Sequence, residues 1–471
     1  MALYKQGDTA TLEITGFGME GEGVAHKDGF TFFVPFAIKD EIVKARVTYV
    51  KRSIVFAELT EVLTPSKSRV TPVCNRFARC GGCDLMHISY PEQLNIKRDN
   101  LVGLLHKNAG VDFPVDETVP CSSPLYYRNK IQIPFGTVNG KVAVGFYREN
   151  SHKIASVTKC FLHGEWVEKL IKAVLTYAEE TRLTAYDDIT QKGVLRHMVA
   201  RKTDDGYCIV IVTNGALLPD TDKLIELFTE AVGDCFSLYL SKKEKHDNVV
   251  MGKSVIPLKQ RETFVDVLGV KFSINPFSFL QLNDEIRDKI YTRVIDGITA
   301  KSDSPVVIDA YAGVGVLGAV LAKRGARVYN VEIVHEATED ADRLVKENGL
   351  SDKVTNINGD AAVELPKIFS SLYGVDVPTS EHSDAALKSA PQGLPSVILD
   401  PPRKGCDARV LDALVSLAVP NDVYYLSCNP ATLTRDLKIL LSGGYTLLSV
   451  TPYDMFPQTK HVETLILLCR K

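Results

Sequence analysis

Pro305-Val-Val-Ile-Asp309-Ala-Tyr-Ala-Gly313-Val-Gly315-Val-Leu-Gly318 decides the fold. An apolar, β-branched run passes into a glycine turn and then into residues suited to a helix. That order gives an open α/β sheet its ligand-binding edge, and glycines there let the backbone approach a ligand closely. A GxG alone names no cofactor. The next unit adds more: Ala326-Arg-Val-Tyr-Asn-Val-Glu332 is a second strand ending in an acid, about twenty residues past the turn, where a carboxylate accepts from ribose hydroxyls. A third strand, 354–358, leads into Gly359-Asp360. A fourth, 396–400, runs through Asp400 into Pro401-Pro402-Arg403-Lys404-Gly405, and a fifth ends at Ser427-Cys428-Asn429-Pro430. The fold class expected is α/β, with a Rossmann-like domain in the C-terminal half.

Two residues at that edge invite chemistry. Ligands collect beyond the carboxyl ends of such strands, so Cys428 is placed where a nucleophile is useful, although a lone cysteine is more often a small buried hydrophobe. In His461-Val-Glu463, an acid stands at the start of an apolar strand; there it must be solvated, paired or functional.

The chain ahead of residue 271 reads differently. Residues 1–65 alternate as short strands with a glycine-rich turn region, GFGMEGEGVAHKDG, as in a small β-barrel. Cys74, Cys80 and Cys83 then form C-x5-C-x2-C, with Cys121, Cys160 and Cys208 as candidates for a fourth thiolate. Such a set suits zinc or an iron–sulfur cluster, and a single CxxC favours the cluster. Residues 91–109 carry Leu94, Leu101, Leu104 and Leu105 at helical spacing and read as a core-facing helix. Mixed strands and helices follow over 125–270, where Arg196 and Arg201 interrupt an apolar strand and suggest phosphate contacts. Residues 379–395 are polar and read as a surface loop.

The 471 residues are 45% hydrophobic and 24% charged, with net charge −3, ordinary for a globular chain of several domains. No apolar run is long enough for a membrane span and no signal-peptide pattern opens the chain, so a cytoplasmic protein with no membrane partner is expected. Ten cysteines in that compartment point to metal or catalysis before disulfides. Residues 66–160 hold thirteen Lys and Arg against seven Asp and Glu, which suits a polyanionic partner.

Taken in order, DAYAGVGVLG, LDPPRKG, LSCNPATLTRD and HVETLILL resemble the RNA uracil-C5 methyltransferase family. The N-terminal GFGMEGEGVA and FVPFAIKDEIVKARV resemble the RNA-binding TRAM domain. With the cysteine cluster added, the chain is most similar to bacterial members that act on 23S ribosomal RNA. The resemblance implies a class I methyltransferase domain (91–124 and 271–471), a TRAM barrel (1–65) and a central α+β iron–sulfur domain (66–90 and 125–270). It implies S-adenosylmethionine held by Gln281, Tyr311, Glu332, Asp360 and Asp400, and a 4Fe–4S cluster on Cys74, Cys80, Cys83 and Cys160, with zinc as the lesser occupant. Cys428 matches the family's nucleophile and Glu463 its base. A monomer acting on 23S rRNA is expected; the alternatives are the same chemistry on transfer RNA, or an inactive RNA-binding assembly factor. RNA contacts on the barrel are guessed from charge at Lys44, Lys51 and Arg52.

Overall fold

The computed structural model describes residues 3–148, 151, 153–247, 249–373, 394–417 and 421–470. Residues 379–393 of the expected polar loop lie outside that set. Six strands between Thr9 and Thr64 form one sheet, wrapped round a core that includes Leu12, Phe32, Val43 and Val55. Alternation dictates this: in Thr9–Glu13, Ala10 and Leu12 point inward and their neighbours outward. The central region holds a second, seven-stranded sheet. Helices Glu165–Glu180 and Thr221–Val232 cover one face of it, burying Val167, Leu170, Leu224 and Phe228 against Ile131, Ile209 and Leu238.

The C-terminal sheet positions the site. Its strands are β1 (Val306–Asp309), β2 (Arg327–Glu332), β3 (Val354–Asn358), β4 (Ser396–Leu399), β5 (Asn421–Ser427), β6 (Thr446–Tyr453) and β7 (Glu463–Arg470). They lie in the order β3-β2-β1-β4-β5-β7-β6, the first five parallel and β7 antiparallel to both neighbours. Order reverses between β1 and β4, the switch point at which such sheets bind ligands. Because β7 runs backwards, its N-terminal residue, Glu463, lies at the same edge as the carboxyl ends of the parallel strands.

Helices cover both faces. One carries α2 (Asp284–Thr299), α3 (Val316–Lys323) and α4 (His335–Glu347), packed through Ile290, Val294, Val320 and Leu344. The other carries α1 (Tyr90–Leu104), α5 (Ala361–Tyr373), α6 (Ala408–Leu417) and α7 (Pro430–Ser442). Leu101 and Leu105 of the first segment join the core there, beside Phe369, Leu414 and Leu433. Beyond α1 the chain widens into one π-helical turn, Leu105–Ala109, closed by Gly110 at φ 68°. The buried side of α1 is less apolar than its leucines suggest: Gln93 and Lys97 are buried on it, and Leu94 is only half-buried.

Two expectations fail in the central region. Arg196 is buried, donates to the Lys243 carbonyl at 2.8 Å and lies over the Tyr186 ring. Arg201 is buried and donates to Asn129 Oδ1 at 3.1 Å and the Leu280 carbonyl at 3.0 Å. Both guanidiniums satisfy backbone and amide acceptors inside the protein and are not available to phosphates.

Candidate active site

The glycine turn after β1 is built as its residues demand. Gly313 and Gly315 take φ of 55° and 73°, and Gly315 is the N-cap of α3. A Cβ on Gly318 would lie 2.3 Å from Asn330 Oδ1, so this glycine lets α3 close on β2. A Cβ on Gly313 would meet nothing within 4 Å; this turn faces a cavity of about 720 Å³ along the strand ends.

The cavity runs from Glu332 and Asp360 at one end to Cys428 and Glu463 at the other. Glu332 is aimed by two backbone amides: Gly313 N donates to Oε2 at 2.9 Å and Val334 N to Oε1 at 2.8 Å. Ala362 N donates to Asp360 Oδ1 at 3.0 Å, and Arg409 pairs with Oδ2 at 3.0 Å. Gln281 and the Tyr311 ring line the walls; the Tyr311 hydroxyl accepts from Asp407 N at 3.3 Å. All five expected cofactor residues therefore face one space.

Its middle holds acids. Asp309 and Asp400 are pushed up to about 7, Asp309 by burial and then by the charge of Asp400, Asp400 by burial. Asp400 is half-buried and lines the cavity wall. Glu463 is buried, and burial and then Asp400 raise its carboxyl well above the usual range, while Arg403 pulls it back.

Strand register sets Cys428 beside Glu463. The β5–β7 ladder ends with Ser427 paired to Thr464, which leaves Cys428, directly after β5, and Glu463, the first residue of β7, together at the open edge, close enough for the Glu463 charge to act on the thiol. Burial and then Glu463 push the half-buried Cys428 thiol up to about 11, and Arg403 works against them. The loop carrying Arg403 is stitched to the Cys428 turn. Asn429 Nδ2 donates to the Arg403 carbonyl at 3.0 Å, Arg435 Nη2 to the Lys404 carbonyl at 3.1 Å, and Cys406 N to Asp436 Oδ2 at 2.9 Å. Gly405, at φ 81°, leaves no room for a Cβ between Arg435 and Asp436. Sequence reasoning missed Asp309 and gave Arg403 no role in the site. The acid directly after an apolar strand and before the turn was the available signal for Asp309.

Cys74, Cys80, Cys83 and Cys160 line a second, smaller cavity of about 80 Å³ with Phe77, Arg128 and His163. Burial raises the thiols of Cys80, Cys83 and Cys160, and the neighbouring sulfurs raise them further. The other candidates for a fourth thiolate are buried elsewhere, Cys121 beside Glu285 and Cys208 in the central sheet. Among the described residues no three His, Cys, Asp or Glu side chains stand as a single metal ion needs.

A family model described as tRNA (Uracil-5-)-methyltransferase matches residues 249–471, and one for the TRAM domain matches residues 4–60. An uncharacterized RNA methyltransferase of Clostridium tetani is 37% identical over 467 residues, covering 98% of this chain and 97% of the relative. The chain belongs to the RNA uracil-C5 methyltransferases. A second relative, an uncharacterized RNA methyltransferase of Halalkalibacterium halodurans, is 35% identical over 99% of this chain and 98% of its own length. The crystal structure of Pyrococcus abyssi tRNA (uracil-54, C5)-methyltransferase, in complex with S-adenosyl-L-homocysteine, has a TM-score of 0.75 and 26% identity, covering 97% of this chain and 99% of that one. This methyltransferase is thus an RNA-modifying transferase that draws its methyl group from S-adenosylmethionine.

Proposed function

We propose that the enzyme methylates C5 of a specific uridine in 23S ribosomal RNA through a covalent adduct on Cys428. What carries the reading is the pair of neighbouring strand ends that bring a thiol and a buried carboxyl together in one acid-lined cavity. C5 of uracil is too electron-poor to attack a methyl donor unaided. Cys428, once its thiol proton has passed to solvent, adds as the thiolate to C6, and the electrons of the C5–C6 double bond pass toward the C4 oxygen, leaving C5 nucleophilic. S-adenosylmethionine, when bound, supplies a methyl group on a positive sulfonium. Once C5 carries the methyl group, Glu463 takes the C5 proton, the double bond re-forms and the C6–sulfur bond breaks, returning the thiolate. Arg403 favours the charged forms of both Cys428 and Glu463.

The ligand set follows the same geometry. Glu332, Asp360, Gln281, Tyr311 and Asp400 would hold the methyl donor, Glu332 suiting its ribose hydroxyls and the acids Asp400 and Asp309 its positive charge. Two buried acids with raised pKa suit a cation better than water. Cys74, Cys80, Cys83 and Cys160 would hold a 4Fe–4S cluster, which would supply a rigid cross-link. The domains divide as 1–65, 66–90 with 125–270, and 91–124 with 271–471; the enzyme acts as a cytoplasmic monomer.

Transfer RNA is the second reading, favoured by the likeness to the Pyrococcus abyssi enzyme over nearly the whole chain. Purified enzyme incubated with labelled donor and each RNA separates the two: label in 5-methyluridine of 23S rRNA supports the first, label in transfer RNA the second. Wild type should also form a denaturation-resistant adduct with 5-fluorouridine RNA, and Cys428→Ala should form none while still binding S-adenosylhomocysteine. Full turnover by Cys428→Ala would sink the mechanism.

A further inference from the structure

The outer face of the N-terminal barrel carries a row of three aromatic rings. Phe33, Phe56 and Tyr49 are cross-strand neighbours on three adjacent strands. Their rings stack in sequence, Phe33 to Phe56 at 5.8 Å and 24°, and Phe56 to Tyr49 at 6.2 Å and 27°. Tyr49 leaves 57% of its surface open and Phe56 42%, so the row is not a way of burying these rings. Alternation alone would not put Tyr49 there. In strand Ile42–Lys51, Arg46 points out and Val47 in, so Thr48 takes the outward turn and Tyr49 should point in. The register instead slips by one residue between Val47 and Tyr49. A bulge of this kind re-aims a side chain, and here it sets Tyr49 opposite Phe56. The Thr48 hydroxyl donates to the Phe56 carbonyl at 2.9 Å across the irregularity.

The unpaired charge beside Tyr49 is basic. Lys51 and Arg52, at the hairpin tip beside Tyr49, are exposed and form no ion pair among the described residues. Further along the same strands Lys44 and Arg46 are neutralised by Glu61 and Glu58, at 2.8 and 2.7 Å, which removes Lys44 from the contacts guessed from charge.

We propose that the Phe33–Phe56–Tyr49 row is a stacking platform for unpaired bases of the RNA substrate, with Lys51 and Arg52 taking the adjoining phosphates. The inference rests on RNA being the substrate and names the surface that holds it away from the reacting uridine. Stacking on aromatic side chains is how sequence-tolerant single-strand binders hold bases, and lysines and arginines beside them track the backbone. An aromatic ladder that only braces the sheet needs neither the bulge nor the exposure.

The test uses the full-length enzyme and a single-stranded oligouridylate carrying one 2-aminopurine. Tyr49→Thr with Phe56→Thr keeps strand propensity and removes the platform. Affinity should fall about tenfold or more, 2-aminopurine quenching on binding should be lost, and the salt dependence of binding should keep its slope. Lys51→Ala with Arg52→Ala should instead weaken binding and flatten that slope by roughly one to two ions. Phe56→Trp should restore both affinity and quenching. Unchanged oligonucleotide affinity in a folded Tyr49→Thr, Phe56→Thr enzyme overturns the proposal, and points to a protein or a purely structural role for the row. Methyl transfer by the wild type to total RNA, assayed in parallel, keeps the two readings apart: its failure speaks against the reaction, and the oligonucleotide titration still decides the platform.

Discussion

Arg403 is the residue on which the reactivity of Cys428 turns. The thiol is pushed up to about 11 by burial and then by Glu463, and Arg403 is the cation that opposes them. Arg403→Gln should raise the thiol further and move the pH–rate profile of methyl transfer to higher pH. The rate near neutrality should fall about tenfold for every pH step of about one by which the profile moves, with S-adenosylhomocysteine binding little changed; a profile that stays in place would remove Arg403 from this role. Asp400 allows a test without substrate. Its carboxyl holds its proton up to about 7 in the fold but would lose it at about pH 4 once unfolded. The native state thus binds a proton that the unfolded state does not, so this contribution to stability is present below about pH 4 and declines as pH rises to about 7. In thermal unfolding of the ligand-free enzyme, Asp400→Asn should remove that part of the decline, so the variant gains on wild type as pH rises. S-adenosylmethionine, with its cationic sulfur, should raise the melting temperature more at pH 8 than at pH 6, and S-adenosylhomocysteine, whose sulfur is uncharged, should show less of this trend. A wild type and variant that run parallel across the range would contradict the burial argument.

Helix α1 shows what periodicity conveys and what it hides. Its place on the C-terminal sheet was implied only by the family resemblance; leucine spacing gave its existence and a core-facing side. It did not give Gln93 and Lys97, which share the buried side with Leu101. Those two polar residues at core spacing were the visible signal; Gln93 also donates to the nearby Leu85 and Ile88 carbonyls, but the partners that tie both residues to the loop lie over three hundred residues away. Lys97 pairs with Asp454 and donates to the Phe456 carbonyl at 3.1 Å, while Gln93 Oε1 accepts from Gln458 N at 3.0 Å. Gln458 itself sits at φ 70°. Through them α1 fixes the Met455–Val462 loop that delivers Glu463. The glycine turn, Glu332, Asp360, Asp400 and Cys428 were legible because each lies next to a strong local pattern; Asp309, as close to one, was passed over. The grip on the loop was not, since it depends on tertiary pairing. Lys97→Met would leave the Asp454 carboxylate buried without its cation, at a cost of about 3–5 kcal/mol in chemical denaturation. Adding Asp454→Leu should recover most of that loss. If the loop sets Glu463, the single variant should lower kcat more than it raises KM for the methyl donor; equal changes would confine Lys97 to stability.

At the scale of the whole molecule, three stretches distant in sequence converge on that same loop. Asp84 N and Leu85 N both donate to the Gln458 carbonyl, at 3.1 and 3.0 Å, Asp84 Oδ2 accepts from Lys460 N at 3.2 Å, and Glu20 of the barrel pairs with Lys460. Asp84 directly follows Cys83, so whatever organises the four cysteines also organises one side of the loop before Glu463. The basic excess over residues 66–160 is partly taken up by such internal contacts: Lys97 on Asp454 and Arg69 on Glu41 are ion pairs with buried carboxylates, not an RNA surface. Local charge counts could not reveal this, because both acids lie outside the window counted. The geometry predicts how the enzyme responds when the cysteine site is emptied. Protein purified without oxygen should carry iron and visible absorbance, and Cys80→Ser or prolonged chelation should remove both. The strand-end cavity is built by other residues, so S-adenosylhomocysteine affinity should stay within about twofold, but the melting temperature should fall by several degrees, about 2–4 °C for each kcal/mol lost in larger domains, and methyl transfer to RNA should drop with it. Colourless protein containing zinc would replace the cluster by a single ion. Full activity and unchanged melting in Cys80→Ser would show that the Asp84–Gln458 contact holds the loop without any help from the cysteines.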